Sequence, residues 1–189
     1  MSADQGPRVV VLNGGSSSGK SSIARALQEK LPGIWLTFGV DTFIEALPGR
    51  GNSPKAGITY VEDGTITFSA EHRALERSWY AGLSSMAHAG AHLILDEVLL
   101  SGRAGQERLQ SIFSDSDLGV VWVGVRCDPD VAASREAHRA DRVEGMARQQ
   151  ALSVHAGAVY DVEIDTTERS TDDCANDIAG WFRHEKSVR

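Results

Sequence analysis

Glycine, serine and lysine are concentrated in one stretch near the start of the chain. Residues 13–21 read Asn-Gly-Gly-Ser-Ser-Ser-Gly-Lys-Ser, which matches the pattern G-x-x-x-x-G-K-[ST]. Glycines let the backbone curl until successive N–H groups point inward, and the lysine adds a positive charge for terminal phosphates. The stretch therefore predicts a nucleotide phosphate loop. Its predicted contacts are Gly14, Gly15, Ser16, Ser17, Ser18, Gly19, Lys20, Ser21 and Ser22.

The neighbouring residues supply the context that such a loop needs. Val9–Leu12 is continuously apolar, which is typical of a buried strand in a parallel sheet, and Ser22–Leu27 favours a helix. A flexible connection is the alternative interpretation of a Gly/Ser-rich turn, but strand, loop and helix in register favour the phosphate loop. The hydroxyl of Ser21 is then expected on Mg²⁺, and the loop indicates ATP and Mg²⁺ as cofactors.

Acidic residues follow two further apolar segments. Asp41 comes after Ile34–Phe38, and Asp96 comes after Leu93–Leu95. Open α/β sheets build their sites at the carboxyl ends of strands, and we expect the strand before Asp41 to lie beside the first strand. Asp41 could accept a proton from an alcohol, or it could cap the helix that follows. Asp96 is a candidate Mg²⁺ ligand, directly or through water, with Glu97 as its partner or as an ordinary solvated residue.

Three arginines lie four and three residues apart. Arg135, Arg139 and Arg142 therefore share one face if the segment is helical. A lid that brings Arg139 and Arg142 onto the phosphates would stabilise the transition state of phosphoryl transfer. A solvated basic face, neutralised by nearby acidic residues, is the alternative for each arginine.

The elements around these residues predict a fold. Five apolar or alternating segments indicate strands at Val9–Leu12, Ile34–Phe38, His92–Leu95, Leu118–Val125 and Tyr160–Asp165. Helices separate them, so we expect a three-layer α/β/α P-loop kinase fold with a five-stranded parallel sheet.

Smaller features refine this expectation. Asp63-Gly64 between two short β-prone runs predicts a hairpin insertion outside the main sheet. Ser69 is expected to cap a long helix, Asp128 to begin another, and Thr171 to cap the last. The long helix would bury Leu75, Trp79, Leu83 and Met86. Arg126 and Thr166 follow the fourth and fifth strands and are candidate adenine neighbours, although such positions also suit solvent-facing loops.

Length and charge limit the possible functions. The 189 residues are most simply one domain, with a substrate-side insertion at about 48–68 and a lid at about 130–148. A net charge of −7 disfavours nucleic acid as a partner. We find no segment typical of a membrane span or a signal peptide and expect a cytoplasmic protein; the sequence does not predict its oligomeric state. The chain has no N-K-x-D guanine motif and no L-S-G-G-Q transporter signature.

The collected motifs resemble the chloramphenicol phosphotransferase family over nearly the whole chain. The residues that carry the resemblance include Val11–Ser17, Phe38–Asp41, Trp122–Asp128, Asp141–Val143, Gly145–Ala147 and Asp165–Thr167. The resemblance implies an antibiotic-resistance kinase that transfers a phosphate from ATP to the primary hydroxyl of chloramphenicol. It also implies Asp41 as the base, Lys20 and Ser21 in the phosphate and metal roles, and Arg139 and Arg142 in the lid.

Residues 47–67 depart from the family pattern, so the reaction type is more firmly implied than the acceptor. A kinase for another small hydroxylated metabolite remains an alternative. A regulatory protein that binds ATP without transferring phosphate is a third hypothesis, and Asp41 distinguishes it, because a sensor does not need an acceptor base.

Overall fold

Seven short strands form one large and one small sheet in the computed structural model, which describes residues 8–60, 66–114, 118–138 and 146–188. The strands are β1 (Val9–Asn13), β2 (Trp35–Gly39), β3 (Ile58–Tyr60), β4 (Ile66–Phe68), β5 (His92–Glu97), β6 (Val120–Arg126) and β7 (Val162–Asp165). The helices are α1 (Lys20–Lys30), α2 (Val40–Ala46), α3 (Ala70–His88), α4 (Arg103–Ile112), α5 (Pro129–Ala137), α6 (Met146–Ser153) and α7 (Thr171–Val188). Single 3-10 turns occur at Pro48–Gly51 and Pro54–Ala56.

The large sheet has the order β2-β5-β1-β6-β7, and all its pairings are parallel. The predicted five-stranded parallel sheet is therefore confirmed. The expectation that β2 lies beside β1 is wrong, because β5 pairs with both strands and separates them. The chain passes from β1 to β2 and leaves the sheet position between them empty. After α3, β5 occupies that position. The carboxyl ends of β1, β5 and β2 thus stand in a row, where such sheets form their crevice.

Both faces of the sheet are covered, which explains the continuous apolar run in β1. Val10 and Leu12 pack toward α1 and α7, through Ile23, Leu27 and Ile178. Val9 and Val11 face the other way, and their cluster includes Leu83, Leu109 and Phe113 of the α3 and α4 layer. The four β1 residues are completely buried. Because side chains alternate across a strand, a strand covered on both faces must be apolar throughout.

The long helix α3 confirms part of its predicted pattern. Ser69 caps it by accepting a hydrogen bond from the His72 backbone N–H at 3.1 Å. Leu83 is buried, but Leu75 is 50% exposed, so its predicted place in the core is wrong. His72 is buried near the start of the helix instead, where its ring packs against Phe43. The helix faces the small sheet there and not the large one, so its buried stripe does not continue from one end to the other.

The predicted hairpin is confirmed in its strands. β3 and β4 pair antiparallel, with Ile58 opposite Phe68, in a two-stranded sheet separate from the large one. The turn predicted at Asp63-Gly64 lies outside the described residues. Ile58 packs on a satellite cluster that contains Phe43, Leu47 and Ala56. This cluster holds the hairpin next to the carboxyl end of β2.

The last third of the chain differs from the sequence prediction in three details. Asp128 caps α5 as predicted, but α5 ends at Ala137, and the separate helix α6 was not predicted. Ser170, not Thr171, caps α7, because its hydroxyl accepts the Asp173 N–H at 3.1 Å. The last strand begins at Val162 and not at Tyr160. Among the described helices, none combines the length and apolar character needed to span a membrane.

Candidate active site

The phosphate loop follows β1 and curls tightly before α1. Ser17 and Gly19 have φ angles of 59° and 92°, and the left-handed conformation at Gly19 favours a residue without Cβ. At Gly14 there is no room for a side chain, since a Cβ would lie 2.5 Å from the Val125 carbonyl oxygen. At Gly15 it would lie 3.0 Å from the Ala151 backbone nitrogen. The two adjacent glycines therefore allow the loop to lie directly on β6 and α6.

Polar groups converge inside this curl. The Lys20 residue is 6% exposed, and its ammonium group donates a hydrogen bond to the Gly15 carbonyl at 2.8 Å and lies 3.8 Å from Asp96 Oδ1. Three buried hydroxyl oxygens have no hydrogen-bond partner among the described atoms, those of Ser16, Ser17 and Ser18. A phosphate group, which accepts hydrogen bonds at each oxygen, fits this set of donors at the start of α1. Gly19, Ser21 and Ser22 line the same cavity.

Two buried amide side chains hold the loop from below. Asn13 donates to the Val154 carbonyl at 2.9 Å and to the Tyr160 hydroxyl at 2.7 Å, and its Oδ1 accepts the Leu99 N–H at 3.0 Å. Gln150 of α6 accepts the Ser16 N–H at 2.9 Å. No pattern in the sequence indicates the role of Gln150, because it depends on the packing of α6 against the loop. Through these contacts the loop is fixed to three distant segments of the chain.

Ser21 and Asp96 form the candidate magnesium site. The Ser21 hydroxyl donates to Asp96 Oδ2 at 2.6 Å. A hydroxyl and a carboxylate are hard oxygen ligands that suit Mg²⁺, which usually takes its other ligands from water and substrate phosphates. The described residues contain no cluster of three or more His, Cys, Asp or Glu side chains that could hold a metal alone. The donor set therefore fits a magnesium ion that arrives with a nucleotide.

Asp41 is brought to this site by the close approach of β2 to β5. Gly39 pairs with Asp96, and a Cβ on Gly39 would lie 2.1 Å from the Asp96 carbonyl oxygen. Gly39 also occupies the N-cap position of α2, and Asp41 lies in the first turn, so the alternative interpretation of Asp41 as the cap is wrong. Asp41 is exposed and lines one cavity of about 410 Å³ together with Lys20, Ser21 and Asp96.

Part of the lining of this cavity is apolar. It consists of Ile44 of α2, of Ile58, Ile66 and Phe68 of the hairpin, and of Leu100. A second cavity of about 640 Å³ shares Ile44, Ile66, Phe68 and Leu100 with it and extends between α3 and α4. The predicted insertion thus contributes side chains to the site, and the two cavities together are large enough for a small organic acceptor.

Glu97 is not the solvated residue that one interpretation of the sequence allowed. Its side chain is 2% exposed, and its Oε2 accepts a hydrogen bond from the Tyr80 hydroxyl at 2.8 Å. Burial raises the pKa of Glu97 to about 8, the hydrogen bond from Tyr80 opposes that rise, and the carboxylates of Asp96 and Glu76 add to it. The sequence contained no signal for this pair, since Tyr80 and Glu97 belong to different elements.

Arg135 and Thr166 contact each other at the edge of the phosphate site. Arg135 donates to the Thr166 carbonyl at 2.8 Å and lines the cavity of the phosphate loop. The Thr166 hydroxyl donates to the Ser18 carbonyl at 2.8 Å. Arg126 is exposed and forms an ion pair with Glu163 of β7. The two predicted lid arginines, Arg139 and Arg142, lie outside the described residues.

Comparisons with known proteins agree with this geometry. A family model for chloramphenicol phosphotransferase-like proteins matches residues 7–183. A Mycobacterium tuberculosis protein named as a candidate O-phosphotransferase is 29% identical over 188 residues, which cover 90% of this chain and 80% of that protein.

Solved structures share the fold. The tunicamycin resistance protein of Deinococcus radiodurans is 22% identical and superposes with a TM-score of 0.63, covering 93% of this chain and 94% of that one. The APS kinase of Mycobacterium tuberculosis, solved with AMPPNP and APS, gives a TM-score of 0.61 at 14% identity, with 94% and 98% covered. The match over residues 7–183, on a fold shared with P-loop kinases, shows that the chain is a phosphotransferase that belongs to the chloramphenicol phosphotransferase-like protein family.

Proposed function

We propose that the protein transfers the terminal phosphate of ATP to a hydroxyl group of a small acceptor, with the primary hydroxyl of chloramphenicol as the first candidate. One observation carries the proposal. Asp41, an exposed carboxylate, lines the same cavity as Lys20, Ser21 and Asp96, and apolar side chains of α2 and the hairpin line that cavity as well. A phosphate site, an acidic residue and an apolar wall in one cavity are what a kinase for a small, largely apolar alcohol requires.

The proposed chemistry assigns one role to each group. Asp41 takes the proton of the acceptor hydroxyl, the oxygen forms a bond to the terminal phosphorus, and the bond from that phosphorus to the bridging oxygen breaks to release ADP. Lys20 stabilises the negative charge on the transferred group. A magnesium ion bound to Ser21 and Asp96 would neutralise charge on the phosphate oxygens. Arg139 and Arg142 are proposed to supply further positive charge from the lid, and Arg126 and Thr166 to adjoin the adenine.

Members of the matched family and a Mycobacterium tuberculosis relative named for O-phosphotransfer support this reaction type. The tunicamycin resistance protein with the same fold gives an antibiotic acceptor some support. A kinase for a different hydroxylated metabolite would use the same base and phosphate loop, so acceptor screening separates the two hypotheses. The regulatory-protein hypothesis differs in predicting ATP binding without turnover.

The test is a direct assay of the product. Purified protein is incubated with chloramphenicol, ATP and Mg²⁺, and the mixture is analysed by mass spectrometry. We expect a product heavier by one phosphoryl group, with the phosphate on the primary hydroxyl by NMR. If excess enzyme leaves chloramphenicol unmodified but consumes ATP with another alcohol, chloramphenicol is not the acceptor. Tight ATP binding without turnover on any alcohol would contradict the kinase function itself.

A further inference from the structure

A buried amide side chain of α6 borders the cavity of the phosphate loop. Gln150 is 7% exposed, and its Oε1 accepts the Ser16 backbone N–H at 2.9 Å. A backbone N–H can only donate, so this bond fixes which end of the amide faces the loop. The other end, Nε2, carries two N–H donors that the bond to Ser16 leaves unused.

The Nε2 group of Gln150 is directed into the cavity. It has no hydrogen-bond partner among the described residues, yet it is not one of their fully buried unpaired atoms. It therefore reaches open space, and the cavity that Gln150 lines also contains Lys20, Ser21 and Asp41. Met146, one turn earlier on α6, lines the same cavity, so this face of the helix is directed at it.

Gln150 lies at the terminal end of the phosphate site. The lysine of such a loop reaches the terminal phosphates of the nucleotide, and the Lys20 ammonium donates to the Gly15 carbonyl at 2.8 Å. A Cβ on Gly15 would lie 3.2 Å from the Gln150 Cβ, so Gln150 lies against the part of the loop that Lys20 also contacts. The Ser16 hydroxyl is also buried and unpaired among the described atoms. A phosphate oxygen would supply the hydrogen-bond acceptor that these polar groups lack.

We propose that Gln150 is a further catalytic residue, whose Nε2 donates a hydrogen bond to an oxygen of the terminal phosphate and stabilises the charge on that group during transfer. This inference rests on the proposed kinase function and adds a residue to its chemistry. The amide is neutral and gives up no proton, so Gln150 acts as a preorganised donor and not as an acid. Its bond to Ser16 holds the amide in place before the nucleotide binds.

Two substitutions separate this donor from the support that Gln150 gives to the loop. Gln150→Glu keeps an oxygen for the Ser16 N–H but replaces the donor with a carboxylate oxygen. Gln150→Met keeps the length of the side chain and removes both polar groups without adding charge. Both variants should lower kcat by about 10- to 100-fold, less than the loss of a sole oxyanion-hole donor, because Lys20 stabilises the same charge. Gln150→Glu should keep the Kd for ADP within about threefold, because ADP lacks the terminal phosphate.

Gln149→Glu is the matched control, because it adds the same charge at the exposed position directly before Gln150. It should keep the wild-type kcat and ADP affinity. Steady-state kinetics at saturating ATP and acceptor measure kcat, and calorimetry measures ADP binding. A wild-type kcat in Gln150→Glu would show that Gln150 only supports the loop, and overturns the inference. A loss of kcat in Gln150→Glu but not in Gln150→Met would show charge repulsion alone, and overturns it as well.

Phosphorus-31 NMR of bound AMPPNP tests the contact without an acceptor. The resonance of the terminal phosphorus should move in Gln150→Met by more than the other two phosphorus resonances, and none should move in Gln149→Glu. If the terminal resonance responds in this way but the wild type phosphorylates no alcohol, the contact is correct and the proposed kinase function is wrong. If the wild type phosphorylates an alcohol but the three resonances respond equally or not at all, the inference is wrong and the kinase function stands.

Discussion

The two ends of the candidate site are built in different ways. At the phosphate end, the curled backbone of the loop and the short side chains that it carries form the binding surface together with Lys20, and buried side chains such as Asn13 and Gln150 fix the loop in place. At the acceptor end, the surface consists of side chains from α2, the hairpin and α3, including Ile44, Phe68 and Tyr80. A backbone surface keeps its shape when neighbouring side chains change. The acceptor end is therefore the part that can be altered to take a new substrate while the phosphate chemistry is preserved.

Asp41 lies where the two ends meet, so its substitution should have the largest effect. Asp41→Asn keeps the shape of the side chain but removes the proposed base. We expect kcat to fall by about 10²- to 10⁴-fold, the scale of a positioned general base, because no basic side chain then receives the proton of the substrate hydroxyl. Nucleotide affinity should stay within about twofold, because the phosphate end does not depend on a base. Rapid-quench kinetics and calorimetry with AMPPNP measure the two effects.

The matched control for Asp41 is Glu45, an exposed carboxylate one turn later on the same helix. Glu45→Gln should keep wild-type kinetics. If Asp41→Asn were as active as Glu45→Gln, the carboxylate would not act as the base. If Asp41→Asn instead lost nucleotide binding, the separation between the two ends would be wrong.

Gly39 allows β2 to lie close to Asp96 of β5 and so sets the position of Asp41 relative to the phosphate end. Gly39→Ala should therefore have the next largest effect. A Cβ here would lie 2.1 Å from the Asp96 carbonyl oxygen, so β2 or β5 must move. A displacement of about 1 Å between catalytic groups can reduce turnover by about 100-fold, and we expect a loss of about 10- to 100-fold in kcat. Gly82→Ala is the control, because a Cβ at this α3 position meets nothing within 4 Å. It should keep activity and raise the free energy of unfolding by about 0.5–1 kcal/mol. Equal kinetics for the two variants would contradict the tight contact at Gly39.

The parts of the structure that were predicted correctly are those that a local pattern determines. The phosphate loop depends on glycines at fixed spacing, and the buried strands depend on uninterrupted apolar runs such as Val9–Leu12. Caps such as Ser69 and Asp128 were predicted for the same reason, since a cap bonds to the next turn of its own helix.

Long-range contacts account for what the sequence did not reveal. The insertion of β5 between β1 and β2 depends on a pairing of segments more than 50 residues apart, and no local pattern records it. The position of Gln150 under the phosphate loop and the Tyr80–Glu97 pair depend in the same way on how separate elements pack. Leu75 has helical spacing with the buried Leu83 of α3 but is exposed, because spacing alone does not show which part of a helix a neighbouring element covers. The acceptor end consists almost entirely of such contacts, so its specificity could not be predicted from the sequence.

Gln150 tests whether the phosphate end is fixed from below. Gln150→Ala removes the acceptor of the Ser16 N–H, a bond of 2.9 Å in a buried position. Loss of one such bond costs about 1 kcal/mol, so ATP affinity should fall by about fivefold. The KM for the acceptor should change less than the ATP Kd. Gln149→Ala is the control, because Gln149 is exposed and directly precedes Gln150 in α6. Calorimetry with AMPPNP compares them, and equal affinities would mean that the loop does not need this support.

Substitution of His155 should have the smallest effect. We expect the effect in the free energy of unfolding rather than in kcat. His155 lies below the phosphate loop with its Nδ1 2.7 Å from the Tyr160 hydroxyl, which also accepts a hydrogen bond from Asn13. Burial lowers the pKa of His155 to about 4, the nearby Arg126 lowers it further, and Glu163 opposes the change. The unfolded chain, with an ordinary pKa near 6.5, takes up a proton between about pH 6.5 and pH 4 that the folded protein does not. The free energy of unfolding should therefore decrease with acidification over this range.

His155→Gln isolates this contribution from the other titrating groups. It removes the titration, so the free energy of unfolding of the wild type relative to the variant should be constant above pH 7 and should decrease from pH 6.5 to pH 4. Urea unfolding at several pH values measures the difference. A difference that does not depend on pH would show that His155 titrates alike in the folded and unfolded chains. The same urea series on Glu107→Gln, an exposed position of α4, is the control, because this variant leaves His155 in place. An effect confined to His155 would show that this side chain is shielded from water beneath the phosphate end. Asp41, in contrast, is exposed where the two ends meet.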